Sequence, residues 1–244
     1  MRPRVVAALI GLFLFALAAC SRSESASKQL DPKVIEVIDN ARLRTDTVGL
    51  RHLIDYTNLR EPRVVEDRKF ASEATFVLVD AKNPTPDGAY VTLAGDLLGD
   101  GGVKVGTLKA QSLWIPAGEV RTFALVDAAR IPRPETTSAK IVVTGALVTH
   151  DPPRMRIVEQ HAFVDKYTEN DKPVSRIVVQ ANLVNDAPRM GKAIVIASFH
   201  GADGRPITRP FQTYEIDKSA TMTVQFVGPA GSTTGTIFVG DIVY

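Results

Sequence analysis

The side chains able to do chemistry are few and scattered. The four histidines, His52, His150, His161 and His200, stand far apart, and none forms an H-x-H or H-x-x-x-H pair that would set two imidazoles toward one metal. His150-Asp151 places a base beside an acid, but neighbours on a strand point to opposite faces, so the pair reads as a surface linker. His161 and His200 read as positions on a solvated face. The stretch GGVKVGT, Gly101 to Thr107, has glycines spaced as if to cradle a phosphate. It lacks the lysine after the second glycine, and Val103 and Val105 at period two put a strand where a helix would have to start. No G-x-S-x-G elbow occurs. Asp80, Asn83 and Asp87 could offer oxygens to calcium, yet their spacing fits no EF-hand loop, and strand-end and turn roles account for them. Trp114, the only tryptophan, is either a core or rim anchor or the mark of an exposed binding patch. No catalytic residue, metal ligand set or cofactor is implied.

The first twenty residues, MRPRVVAALIGLFLFALAAC, carry a different signal. Arg2 and Arg4 form a positive start, Val5 to Leu17 are apolar, and small residues close the segment. The run is shorter than the roughly 20 residues a spanning helix needs, so it is expected to be a cleaved export signal. Its end, Leu17-Ala18-Ala19-Cys20, resembles the lipobox of bacterial lipoproteins. The resemblance implies cleavage before Cys20, lipidation of its sulfur and acylation of the new amino terminus. Cys20 is the only cysteine, so it has no intrachain disulfide partner. More than one acyl chain gives stable anchoring. By the sorting rule of that class, Ser21 in place of aspartate implies the outer membrane, facing the periplasm. The expected setting is therefore the cell envelope, with the membrane as partner through Cys20.

The chain has 29 Lys+Arg and 27 Asp+Glu. Arg2 and Arg4 leave with the signal, so the remainder is neutral, and a nucleic-acid partner has no electrostatic support.

What must position these residues is a set of short strands. Residues 21 to 30, SRSESASKQL, read as a flexible tether. Asp31-Pro32 resembles a helix start, and Val34, Ile35, Ile38 and Ala41 recur at helical spacing. Leu50, Leu53 and Ile54 do so again after Thr47, so 20–60 is expected to be tether plus short helix. From residue 61 the period becomes two, with strands in RVVEDRKF, TFVLVDAKN, around Val91 to Leu97, beyond Asp100-Gly101-Gly102, in VRTFALVDA after Pro116-Ala117-Gly118, and from Ile141 to near Thr149. That density is expected of a β-sandwich.

The second half repeats the order. RIVEQHAF at 156–163 echoes RVVEDRKF at 63–70, Asn185 falls on Asn83, and Asp203-Gly204 on Asp100-Gly101. YEIDKSATMTVQF overlays LWIPAGEVRTFAL, and TGTIFVGDI overlays AKIVVTGAL. The expected architecture is all-β, two tandem immunoglobulin-like sandwiches at 61–149 and 150–244. Strand, asparagine, strand, Asp-Gly hairpin and turn, most closely in FHGADGRPI from Phe199 to Ile207, is similar to the FxLYD-type immunoglobulin-like domains of bacterial envelope proteins. That resemblance implies a fold and an extracytoplasmic setting, and it brings no catalytic residues. The expected function is noncatalytic binding or scaffolding, with an envelope protein as partner. A small-molecule or lipid carrier, or a lipoprotein hydrolase, are the alternatives.

Overall fold

A computed structural model describes residues 27–45, 73–149 and 151–244, and they form an almost wholly β protein. The strands of the first half are β1 (Lys28–Gln29), β2 (Glu36–Val37), β3 (Arg42–Thr45), β4 (Thr75–Lys82), β5 (Ala89–Leu98), β6 (Lys104–Ile115), β7 (Val120–Val126) and β8 (Ser138–Val148). Those of the second half are β9 (Met155–Glu169), β10 (Lys172–Asn185), β11 (Gly191–His200), β12 (Pro206–Thr208), β13 (Phe211–Ile216), β14 (Thr221–Val227) and β15 (Thr234–Val243). Pairing is antiparallel throughout. One sandwich sets the sheet β1-β8-β5-β6 against a sheet in which β4 pairs β2, β3 and β7. The other sets β14-β10-β9 against a sheet in which β11 pairs β12, β13 and β15.

The helix expected beyond Asp31 is not formed. Asp31 does cap, its carboxylate accepting from the Lys33 N–H at 3.0 Å, but the turn it starts is a 3-10 segment of three residues, Pro32–Val34. The chain then becomes β2 and β3 along β4, and Ile38 N–H donates to Asp80 O at 2.9 Å. Val34, Ile35 and Ile38 are β-branched and stiff in a helix, and the edge of β4 supplies a ladder for their backbone. Lys28 and Gln29, expected as tether, pair with Val148 and Leu147. The helical pattern after Thr47 and the octet RVVEDRKF lie outside the described residues.

The duplication is written in hydrogen bonds. Asn83 and Asn185 are both fully buried. Asn83 Nδ2 donates to the carbonyls of Asp87 (2.8 Å) and Ile115 (3.0 Å), and Asn185 Nδ2 to those of Arg189 (2.9 Å), Ile216 (3.2 Å) and Asp217 (3.0 Å). Each Oδ1 accepts from the N–H two residues on, Thr85 and Ala187. The hairpins match as well: Gly99 N–H bonds Val103 O and Gly201 N–H bonds Arg205 O. Gly118 (φ 73°) and Ser219 (φ 53°) hold the same left-handed position before β7 and β14.

Two details of the expected alignment shift. Leu97 pairs Ala139 while its counterpart Phe199 pairs Gly235, so β8 and β15 correspond one residue away from the overlay of AKIVVTGAL on TGTIFVGDI. A one-residue slip exchanges the two faces of a strand. The position that RIVEQHAF takes beside β10 is filled beside β4 by residues 36–44, EVIDNARLR. Both segments bulge at an acid-amide pair, Asp39-Asn40 and Glu159-Gln160, and Glu159 has φ 52°.

The cores follow the period of two. Val77, Val79, Ala81, Val91, Leu93, Leu113 and Leu125 fill the first sandwich, and Val179, Leu183, Val195, Phe199 and Ile237 the second. β4 and β11 are buried on both faces. The second face of β4, with Phe76, Leu78 and Asp80, is buried and lies beside β12, and Ile194, Ile196 and Phe238 of the second sandwich pack into the first core cluster.

Candidate functional site

Two features lie where the sandwiches meet, a buried polar junction and an open cleft. Asp80 and Thr122 sit opposite each other on β4 and β7 and point away from the first core, because their neighbours Val79 and Phe123 point into it. The same alternation on β11 turns Ser198 and His200 toward them, while Ala197 and Phe199 face the second core. His200 Nε2 lies 2.7 Å from Asp80 Oδ2, Asn40 Nδ2 donates to the same oxygen at 2.7 Å, and Thr122 Oγ1 donates to Oδ1 at 2.5 Å. Ser198 Oγ is 2.5 Å from Thr122 Oγ1. Thr122 has one hydroxyl proton and gives it to Asp80, so Ser198 donates to Thr122. Burial pushes the Asp80 carboxyl upward, but the bonds from His200, Thr122 and Asn40 outweigh it and hold the group below the ordinary carboxylate range.

The N-terminal strands extend the junction. Asn40 Nδ2 also donates to Gly204 O at 3.2 Å, Arg42 pairs Asp203 at 2.7 Å, and Arg44 Nη1 donates to Ile207 O at 2.6 Å. The hairpin of the second sandwich is thus strapped to β3. Arg209, 2% exposed, donates from Nε to Thr122 O at 2.8 Å and lies over the Phe238 ring, while its Nη2 has no partner. Burial pulls its pKa down to about 9, so at neutral pH it remains a buried cation. The His200–Asp80, Ser198–Thr122 and Asn40–Gly204 bonds of the cluster join the two sandwiches, and Ser198 is bonded to Thr122. The arrangement is a fastener, and it lacks the nucleophile-base contact that acyl transfer requires.

The cleft holds about 1590 Å³. On one side stand β6, the turn at Pro116-Ala117 and Arg121; on the other, residues 151–160 and β15 through to Tyr244. Trp114 and Tyr90 form an aromatic wall with ring centroids 5.2 Å apart. A Cβ on Gly88 would lie 2.2 Å from the Trp114 ring, so the indole rests directly on that glycine's backbone. Arg121 pairs Glu119 at 2.6 Å and lies over Phe238 at 5.1 Å, and Arg189 lies over Tyr244 at 5.5 Å.

The sequence-derived residues distribute unevenly over these features. Leu17, Ala18, Ala19 and Cys20 lie outside the described residues, as do His52 and His150. His161 is exposed on β9. His200, expected on a solvated face, is instead in the junction, because the second sandwich turns that face of β11 onto β4. Asp80 and Asn83 spend their oxygens on protein hydrogen bonds, and among the described residues no group of three His, Cys, Asp or Glu is placed to hold a metal. Trp114 lines the cleft. Asn40, Ser198 and Arg209 gave no sequence signal, except that Asn40 stands in EVIDNARLR where Gln160 stands in RIVEQHAF. No protein-family model and no curated protein match the chain.

Proposed function

We propose that the protein is a lipid-anchored cell-envelope protein, held to the outer membrane through Cys20, whose two sandwiches act as one noncatalytic binding or scaffolding arm. The observation that carries the binding role is the open cleft of about 1590 Å³ between two sandwiches fastened by buried bonds, since sites at such junctions are held in a constant shape. The anchor rests on Leu17-Ala18-Ala19-Cys20 and the charge and length of the segment before it. With the segment before Cys20 removed, the lipidated cysteine itself would keep the arm at the membrane.

Cys20→Ala, followed by labelled-palmitate incorporation and membrane fractionation, tests the anchor: loss of both signals is expected, and an unchanged chain contradicts it. Site-specific photocrosslinking from Ser112 in living cells tests the arm. A reproducible envelope protein whose crosslink disappears with Trp114→Ala is expected, and crosslinks unaffected by that change count against the reading.

A further inference from the structure

Resting on the binding role proposed above, we infer that the cleft receives an extended polypeptide segment, which adds as a strand to the free edge of β6 and lays a bulky apolar side chain against Trp114 and Tyr90. Three sheet edges converge there. Among the described residues β6 ends its sheet, β9 ends the opposite sheet of the other sandwich, and β15 pairs only β11; Ala110 to Ser112, Met155 to Gln160 and Ile237 to Ile242 all line the cleft. An edge strand carries backbone N–H and C=O groups without a neighbour, and an added strand is the ligand that answers a row of them.

The three edges are not equally open. On β15 the Ile237 N–H is taken by Gln160 Oε1 at 2.7 Å, delivered by the Glu159-Gln160 bulge. On β6 the far side meets β7 through the Leu108–Asp127 bridge, the Ala128 N–H bond to Thr107 O and the Ala124 N–H bond to Gln111 Oε1, and among the described residues no strand pairs that side from Ser112 to Trp114. Leu30 N–H donates to Ala146 O, so Ala146 turns to β1 and its neighbour Val91 turns to β6; Val91 and Leu113 therefore bond each other, and alternation turns the backbone groups of Ser112 and Trp114 to the open side. β6 is therefore the receiving edge.

The chemistry of the walls narrows the occupant. About 1590 Å³ exceeds the roughly 300–1,000 Å³ of small-molecule sites, which suits a chain segment. Of the arginines lining the cleft, Arg121 is paired with Glu119, Arg154 with Asp151 and Arg156 with Asp186, and Arg189 lies over Tyr244, so most of the cationic rim is neutralised from within. That leaves the aromatic wall as the discriminating contact, and it favours an aromatic, aliphatic or proline side chain over a charged one.

The test pans a displayed library of random dodecapeptides on the full chain purified in detergent, then titrates the enriched peptides as synthetic ligands. Enriched peptides are expected to carry bulky apolar residues at alternate positions and to bind Trp114→Ala at least about tenfold more weakly. Ser112→Arg, at an exposed position on the same face, is expected to weaken them too and serves if Trp114→Ala does not fold. N-methylation of alternate peptide amides is the direct probe of strand addition: methyls in one register abolish binding and methyls in the other leave it intact. No enrichment, equal binding to the variants, or equal effects of the two methylation registers would overturn the inference. If peptides fail while Ser112 crosslinks persist in cells and depend on Trp114, the binding arm stands and the ligand is not an extended chain.

Discussion

The pair Asp80–Thr122 on β4 and β7 has its counterpart in Asn182–Thr223 on β10 and β14, and the two pairs lead opposite lives. Asp80 and Thr122 are buried beneath the second sandwich, flanked on the same face by Phe76, Leu78 and Ala124. Asn182 and Thr223 face solvent, Thr223 Oγ1 donating to Asn182 Oδ1 at 3.1 Å and Asn182 Nδ2 to Glu159 at 2.7 Å, and their flanking residues are Gln180 and Gln225. The backbone plan is common to both, and a few side chains decide that one face is a joint and the other a surface.

The sharpest way to break this comparison is to truncate the matched positions Leu78 and Gln180. Leu78→Ala is expected to cost about 2–5 kcal/mol, the range for a filled core, and Gln180→Ala less than about 0.5 kcal/mol, as measured by chemical denaturation. Equal effects would mean that the first face is not a joint. Next in size are the two buried asparagines. Asn83→Ala and Asn185→Ala each strand several loop carbonyls, and each is expected to destabilise by about 1–3 kcal/mol, alike in the two halves.

A smaller effect is expected from acid. Asp80 is held below its ordinary range, so its contribution to stability is complete above the unfolded carboxyl value near about 3.9 and is lost as pH falls through the lower folded value. Denaturation midpoints measured downward from about pH 6 should therefore fall more steeply for the wild type than for Asp80→Asn. The smallest change is at Arg209. A buried cation with an unbonded Nη2 and no carboxylate partner among the described residues is replaceable, and Arg209→Met is expected to leave thermal stability unchanged or raise it by about 1 kcal/mol.

Strand positions were legible in the sequence from the alternation of side chains and from turn chemistry. TFVLVDAKN, VRTFALVDA and the Asp-Gly hairpins fall where period two and turn chemistry put them. The matched roles of Asn83 and Asn185 follow from the alignment alone. Other features depend on contacts between distant residues. Ile35 and Ile38 have helical spacing, and only the neighbouring edge of β4 makes that segment extended. His200 alternates like any strand-end residue, and nothing local tells that its face meets Asp80. From Phe76 to Ala81 β4 is apolar on both faces except at Asp80, and that continuous run was the one local sign of a strand covered on both sides.

The central claim is that the two sandwiches form one fixed body. It is tested most directly by the distance between spin labels at Lys140→Cys on β8 and Gln225→Cys on β14, exposed positions on the two outer sheets, in a Cys20→Ala background. A single narrow distance distribution, broadened when His200→Ala and Arg42→Ala loosen the junction, is the predicted result. A broad or two-peaked distribution in the chain with the junction intact would contradict it.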